Sequence, residues 1–248
     1  MTLLVNEIHI QGNLKKCMIL FAADTRITVE GEYDSTRKKI FEIPYLNAGI
    51  GFFGLAQINN RDFLSNWIPN FIRHSSSVTT QEELARRLCD ELNSNVDKAL
   101  LASNPSGIHV CGFNKANNPE LWFIRNIQDM EGHIYKNFVT EYFISEDFLG
   151  RDAQKLGFKG NDPNFSLSAI QYYINGDVRP FHSVWHRLDK FLYEMNSYND
   201  FNMPTSSTDY ERLAKWKMEV ISSFYKRFAN KVMIGTPINS FILEPNTS

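Results

Sequence analysis

The sequence predicts an α+β protein in which two antiparallel sheets stack face to face and helices cover both outer surfaces. Three observations support this fold class. Short apolar runs separated by turn residues predict strands early in the chain, and two segments with helical apolar spacing follow them. Further strands, a helix-rich stretch and a final strand region complete the order. Elements in this order pack as a four-layer αββα sandwich, here with extra helices in the last third of the chain.

The first strands are predicted from apolar runs at residues 3–10, 17–28, 39–43 and 48–53. Residues 11–14 are rich in turn-forming side chains and separate the first two runs. This pattern predicts a hairpin at the start of the chain.

Two helices are predicted next, at residues 61–74 and from residue 79 onward. The first has its apolar side chains at spacings of one, three and four. The second opens with Thr-Thr-Gln-Glu-Glu, which is typical of a capping box. Its apolar stripe comprises Leu84, Leu88, Leu92, Val96 and Leu100.

The rest of the chain alternates between both types of element. Strands are predicted at residues 107–113, 119–127 and 133–144, and a turn at residues 175–180. Helices are predicted at residues 148–156, 166–174, 181–195 and 210–230, before a strand pair over residues 232–243.

Length and composition restrict the class of protein. A chain of 248 residues without a change in composition is expected to form a single domain over residues 1–248. The formal net charge of −2 provides no basic surface for nucleic acid or an anionic membrane. Cys17, Cys89 and Cys111 are widely spaced and indicate reduced thiols. Because no secretory leader or membrane span is evident, we expect a cytoplasmic protein.

Thr2 is the first candidate for chemistry. Methionine is commonly removed when a small residue follows it, so Thr2 is expected at the mature N-terminus once Met1 is removed. A terminal threonine combines a hydroxyl nucleophile with a free α-amine that can act as its base.

Two motifs further along the chain accompany this threonine. Asp24 and Arg26 stand in Ala-Ala-Asp-Thr-Arg, and Lys39 stands in Lys-Lys-Ile-Phe-Glu-Ile. Together with Thr2, these motifs resemble the front of proteasome β subunits and their bacterial relatives, in the N-terminal-nucleophile hydrolase superfamily. The resemblance extends more weakly to later strands.

The resemblance implies a threonine-type hydrolase of amide or peptide bonds, with Thr2 as nucleophile and its α-amine as base. Lys39 would favour the alkoxide as an ammonium, and Asp24 would pair with it. The family usually has fewer residues between its threonine and this aspartate. In an antiparallel hairpin centred on Asn13, however, Thr2 would still lie across from Asp24, because paired positions keep a constant sum.

Further site residues follow from the same resemblance. A backbone amide within the stretch of Phe52, Phe53 and Gly54 would stabilise the oxyanion, and the two aromatic rings would shape the neighbouring pocket. Arg26 is assigned to substrate binding. Ser145 takes the place of a serine that many members carry before a helix, although a helix N-cap is an equally good interpretation.

The resemblance implies no metal or organic cofactor, a peptide or amide substrate, and a homo-oligomer such as a ring or a larger assembly. It is incomplete, because residues 230–234 lack the late aspartate and serine expected there. Two alternatives therefore stay open. One is a catalytically inactive structural or binding subunit of the same fold, and the other is an amidase for small N-acyl compounds.

His182 and His186 form a second candidate site, since a spacing of four residues on a helix can present two zinc ligands. No glutamate follows the first histidine and no third ligand is evident. A partly exposed helix face is the favoured interpretation.

Overall fold

The computed structural model describes residues 2–11, 13–29, 32–59, 62–127, 134–144, 169–196, 198 and 204–246, and the structural statements below concern these residues. Its strands are β1 (Leu3–Gln11), β2 (Asn13–Asp24), β3 (Arg26–Val29), β4 (Glu32–Thr36), β5 (Ile40–Ile43), β6 (Ala48–Phe53), β7 (Gly107–Phe113), β8 (Pro119–Ile127), β9 (Ile134–Tyr142), β10 (Ala169–Gly176) and β11 (Ile238–Leu243).

The strands form two larger sheets and a small ribbon, and all their pairings are antiparallel. One sheet has the order β10-β1-β2-β11, and the other follows chain order from β5 to β9. Strands β3 and β4 pair with each other as a separate ribbon.

The helices lie on the outer faces of the two sheets. Helices α1 (Leu64–His74), α2 (Gln81–Asn95) and α3 (Lys98–Ser103) cover the five-stranded sheet. A π-helical turn (Phe181–Trp185) leads into α4 (His186–Asn196), and the π-helical turn and α5 (Ser207–Phe228) pack on the four-stranded sheet.

Three apolar layers hold this arrangement together. The layer between the sheets includes Leu4, Ile8, Ile19 and Phe21 from one sheet and Phe53, Cys111 and Phe123 from the other. Separate apolar clusters fill the space between each sheet and its own helices. The predicted α+β sandwich is therefore confirmed, and its layers follow the order helix, sheet, sheet, helix.

Two local predictions are also confirmed, for the helix cap at Thr80 and for the cysteines. The capping box forms with one shifted bond. Thr80 Oγ1 accepts from the Glu83 amide at 3.2 Å, and the Glu83 carboxylate accepts at 3.4 Å from the amide of Thr79, the residue before the N-cap. The three cysteines are unpaired and buried. Within the described ranges, no helix combines the length and apolar character needed to cross a membrane.

The helix predicted at residues 166–174 is wrong for the part that the structure describes, which belongs to strand β10. The side chains there follow a period of two. Tyr172 and Ile174 pack toward the helices, whereas Tyr173 lies in the layer between the sheets. This segment forms a strand instead of a helix because pairing with β1 gives its backbone hydrogen-bond partners.

Two other predictions differ from the structure, and one is not tested by it. The second predicted helix is divided into two helices, α2 and α3. Helix α2 ends at Asn95, and Asp97 caps α3 by accepting from the Ala99 amide at 2.8 Å. Residues 232–243 contain one strand, β11, instead of a pair. The helix predicted at residues 148–156 lies outside the described residues.

A chain of polar side chains crosses the layer between the sheets. Asn175 Nδ2 donates to His109 Nε2 at 2.7 Å, and His109 Nδ1 donates to Asn6 Oδ1 at 2.6 Å. This pattern assigns the neutral tautomer of the imidazole with its proton on Nδ1. Burial lowers the pKa of His109 to about 3, because the charged ring would be removed from water.

We expect His109 to make the fold sensitive to acid. Its folded pKa of about 3 lies below the unfolded reference of about 6.5, so the unfolded chain binds the proton first. The contribution of the neutral ring to stability is complete above about pH 6.5 and is lost as the pH falls toward 3. The loss amounts to about 1.4 kcal/mol per pH unit for one proton.

Urea unfolding at several pH values, in wild type and in a His109→Gln variant, measures this contribution. The variant should be less stable at neutral pH but should show a shallower decrease in acid. His74→Gln is the matched control, because His74 is exposed on α1. An identical pH dependence in wild type and His109→Gln would contradict the assignment.

Candidate active site

Lys39 lies at the centre of the candidate site, directly before β5. The Phe52 amide donates to the Lys39 carbonyl at 3.1 Å and holds the backbone in place. The side chain is fully buried, and its Nζ donates to Thr2 Oγ1 at 2.7 Å, Asp24 Oδ2 at 3.1 Å and Arg26 O at 2.6 Å. Three acceptors match the three donors of an ammonium group.

Asp24, at the end of β2, joins three segments of the chain. Its Oδ1 accepts from the Leu3 amide at 3.0 Å, and its Oδ2 accepts from the Arg26 amide at 3.1 Å as well as from Lys39. The carboxylate is fully buried, so these donors replace the water that it loses on folding. Asp24 therefore fixes the start of β1 and the start of β3 around the lysine.

The charges of this pair are strongly affected by their surroundings. Burial raises the pKa of the Asp24 carboxyl and lowers the pKa of the Lys39 ammonium, because both charged forms lose hydration. Their mutual attraction and hydrogen bonds oppose these shifts. The two groups thus depend on each other, and loss of either would leave a buried charge without a partner.

The backbone of Thr2 is held by a turn after β10. The Asp177 amide donates to the Thr2 carbonyl at 2.7 Å. The preceding residue, Gly176, has a φ of +90°, and a Cβ at this position would overlap the Thr2 carbonyl oxygen. Glycine is required here because this close approach leaves no room for a side chain.

The same turn is anchored to the helical layer. Asp177 Oδ1 accepts from Arg179 Nε at 2.7 Å, its Oδ2 accepts from Arg179 Nη2 at 2.7 Å, and the Tyr225 hydroxyl also donates to it. Burial alone would favour the neutral acid, but these hydrogen bonds hold the pKa of Asp177 below its ordinary value. Helix α5 thereby contributes to the position of Thr2 through Tyr225.

The expected pairing of Thr2 with Asp24 is displaced by one residue. Strands β1 and β2 keep a constant register from the pair Leu4–Ala23 to the pair Ile10–Cys17, and an irregularity follows at Ile10 and Gln11. Continuing this register places Asp24 opposite Leu3, and the Leu3 amide donates a hydrogen bond to Asp24 Oδ1. An irregular hairpin end explains the displacement, because a symmetric turn about Asn13 was assumed.

Phe52 lies elsewhere than the sequence led us to expect. Its side chain packs in the core between the five-stranded sheet and the helices, and its amide donates to the Lys39 carbonyl. Phe52 therefore positions Lys39 through a backbone hydrogen bond, and its ring lies in the core instead of lining a pocket. Ser145 lies outside the described residues.

Phe53 and Gly54 occupy the end of β6. The Phe53 ring packs in the layer between the sheets, in the same cluster as Leu4. Gly54 follows with a φ of +83°, and a Cβ there would lie 2.1 Å from the Pro105 carbonyl oxygen. The turn at Gly54 is thus closely packed and restricted to glycine.

Sequence reasoning missed three contributions to this site: the Arg26 carbonyl, Gly176 and the Asp177 amide. The first is a backbone atom, so no residue type identifies it. The turn predicted at residues 175–180 is confirmed only for residues 177–178, because β10 extends to Gly176 and a helical segment begins at residue 179. The helix predicted just before residue 175 concealed that β10 brings this turn to Thr2. The sequence of β10 shows no alternation of apolar and polar residues, because apolar side chains cover both of its faces, so its short apolar run suits either a helix or a strand.

The histidines considered for zinc do not form a metal cluster. His182 and His186 are exposed on the π-helical turn and the start of α4. Among the described residues, no group of three or more histidine, cysteine, aspartate or glutamate side chains is arranged to hold a metal ion.

Comparison with known proteins identifies the type of fold. No family model matches the sequence, and no curated protein matches it. The solved structure of Anbu (ancestral beta-subunit) from Yersinia bercovieri is similar to this protein with a TM-score of 0.53 and 12% sequence identity. The alignment covers 98% of this chain and 82% of the Anbu chain. At this identity the similarity shows the fold alone, which is an α+β sandwich of the proteasome β type.

We expect removal of the Lys39 charge to destabilise the protein strongly. A Lys39→Met variant leaves the Asp24 carboxylate buried and unpaired, which typically costs about 3–5 kcal/mol. Lys38→Met is the matched control, because Lys38 is the exposed neighbour in the chain and its replacement should cost less than about 0.5 kcal/mol. Urea unfolding measures both free energies.

A double variant separates the loss of packing from the unpaired charge. Adding Asp24→Asn to Lys39→Met removes the isolated carboxylate, so part of the lost stability should return. Equal stability of the Lys39→Met and Lys38→Met proteins would show that the buried ion pair does not support the fold.

Proposed function

We propose that this protein is a threonine-nucleophile hydrolase of amide or peptide bonds, with Thr2 as the nucleophile. The contact of 2.7 Å between Lys39 Nζ and Thr2 Oγ1, inside a buried site with Asp24, is the observation that carries the proposal. A fixed ammonium next to a hydroxyl favours its alkoxide form, because opposite charges attract strongly where water is excluded. The proteasome-β-type fold is compatible with this chemistry.

Removal of Met1 supplies the base in this proposal. The freed α-amine of Thr2 has a reference pKa of about 7.7–8.0 and accepts the hydroxyl proton directly or through water. The Thr2 oxygen then attacks the substrate carbonyl, and an ester to Thr2 forms as the amine product leaves with the proton. Water hydrolyses the ester, which releases the acid and restores Thr2.

Gly54 is the proposed oxyanion donor. The hydrogen bond from the Phe52 amide to the Lys39 carbonyl places Phe52 beside Lys39. Gly54 follows Phe52 by two residues, directly after the end of β6. A backbone amide that points to the developing oxyanion contributes roughly 3–4 kcal/mol to transition-state stabilisation in comparable sites. Arg26 is proposed to take part in substrate binding.

The proposal gives a direct test by covalent labelling. A β-lactone probe should acylate mature wild-type protein once per chain, because ring opening joins its carbonyl to the activated hydroxyl. Thr2→Ser should retain labelling, whereas Thr2→Ala should lose it. Intact-mass measurement and peptide mapping locate the adduct and show whether Met1 has been removed.

The outcomes distinguish the alternatives. Retention of Met1 in the mature protein, or equal labelling of Thr2→Ala, would contradict N-terminal threonine catalysis and favour an inactive subunit. Labelling at Thr2 with turnover of small N-acyl compounds but of no peptide would identify an amidase.

A homo-oligomer built from a single-domain chain is also proposed. Helix α5 carries exposed aromatic side chains at spacings of four and eight residues: Trp216 is 42% exposed, Phe224 50% and Phe228 76%. Aromatic side chains arranged along one helix face are typical of a protein contact surface. A second copy of the chain is the proposed occupant, since the similar solved structure is itself described as a subunit.

Phe224→Asp should therefore lower the molar mass in solution toward the 28.7 kDa of one chain. A buried carboxylate without a partner would oppose association through this surface. Thr208→Asp is the matched control, since Thr208 is exposed on the opposite side of α5 from Phe224 and the added charge is the same. Light scattering coupled to size exclusion measures the mass. A monomeric wild type, or the same mass for both variants, would contradict the proposed interface.

A further inference from the structure

A second feature, beside the candidate active site, is a cavity of about 310 Å³. It lies between the start of β3, the C-terminal part of α5 and the loop before β11. The polar side chains that line it belong to Arg26, Tyr33, Ser222, Lys226 and Thr236.

The cavity is positively charged. Arg26 and Lys226 both line it, and no aspartate or glutamate lines it within the described part of the chain. This local excess contrasts with the formal net charge of −2 of the whole protein. Cations that lack a carboxylate nearby in a concave site attract anions, because low-dielectric walls concentrate their field.

The Arg26 guanidinium has a hydrogen-bond donor to spare. Its Nε is buried and has no hydrogen-bond partner among the described residues. Buried donors in folded proteins are generally paired, so the arginine side chain that lines the cavity carries a donor that the described residues leave unused. A guanidinium also binds a carboxylate through two parallel hydrogen bonds.

The guanidinium is held in place by its neighbours. It lies over the Tyr33 ring, with 4.7 Å between Arg26 Cζ and the ring centroid. Gly235 leaves room for the Arg26 stem, because a Cβ at position 235 would lie 3.0 Å from Arg26 Cβ. Such an arrangement reduces the entropy that the side chain would lose on binding a ligand.

Arg26 also connects the cavity to the candidate nucleophile. Its carbonyl oxygen accepts from Lys39 Nζ at 2.6 Å, and the same Nζ contacts Thr2 Oγ1 at 2.7 Å. The backbone of Arg26 is thus part of the candidate active site while its side chain lines the cavity. The cavity and the candidate active site therefore share Arg26, which is the residue that links them.

We propose that this cavity binds a carboxylate group of the substrate, so that the hydrolase selects amides with an acidic group near the scissile bond. The inference rests on the proposed function for the identity of the bond that is cleaved. Arg26 supplies the paired donors, Lys226 adds a second cation, and the hydroxyls of Ser222 and Thr236 are further donors.

Binding to a Thr2→Ala protein tests the cavity without turnover. Fluorescent peptides that differ only by Glu or Gln, placed in turn at each position on either side of the scissile amide, are compared by anisotropy. At the best position, the Glu peptide should bind about tenfold more tightly or better, since hydrogen bonds to charged groups are the stronger ones. The preference should weaken as salt is added.

Charge reversal on adjacent residues of α5 supplies a matched pair of variants. Lys226→Glu should abolish the preference for Glu, whereas Arg227→Glu should retain it. Both residues are exposed neighbours with the same charge, but Arg227 does not line the cavity. Arg26→Gln provides an independent variant on the other wall and should also abolish the preference.

Equal affinities for the Glu and Gln peptides at every position, or equal losses in the Lys226→Glu and Arg227→Glu proteins, would overturn the inference. Acylation of Thr2 in wild type without any Glu preference would contradict the carboxylate site and leave the hydrolase proposal intact. A Glu preference without acylation of Thr2 would contradict the hydrolase and support the anion-binding cavity.

Discussion

The buried ammonium group of Lys39 is the constraint on which the rest of the site depends. An ammonium without water must have all its hydrogens bonded to acceptors, and Thr2, Asp24 and Arg26 provide these acceptors. They come from the start of β1, the end of β2 and the start of β3, so one charge fixes the relative positions of three segments. The arrangement that satisfies the charge is also the one that places a hydroxyl beside it.

The position of Thr2 depends on the neighbouring strand β10 and on helix α5 as well as on β1, which Thr2 precedes. Strand β10 pairs with β1 and ends in the turn of Gly176 and Asp177, which holds the Thr2 carbonyl. Tyr225 on α5 then binds the Asp177 carboxylate. Rigid support of this kind is what a nucleophile needs, because small displacements of a reacting group reduce the rate steeply.

Arg26 serves two environments with different parts of the same residue. Its amide and carbonyl complete the polar contacts of Asp24 and Lys39, while its guanidinium lies over Tyr33 beside the cavity. A substitution that preserves the backbone would therefore alter the cavity and leave the contacts of the buried ion pair in place.

The sequence by itself determined the sandwich fold, the capping box at Thr80, and the grouping of Thr2, Asp24 and Lys39. The fold and the capping box follow from local patterns of residue types, whereas the grouping of Thr2, Asp24 and Lys39 was implied by the family resemblance. The side chains of these residues make the contacts. Only the tertiary structure decided the strand at β10, the shifted register of Asp24, the inward packing of Phe52 and the Arg26 carbonyl contact. Strand pairing across distant segments and backbone acceptors leave no residue-type signature in one chain, because any residue has the same carbonyl and a short apolar run suits either a helix or a strand.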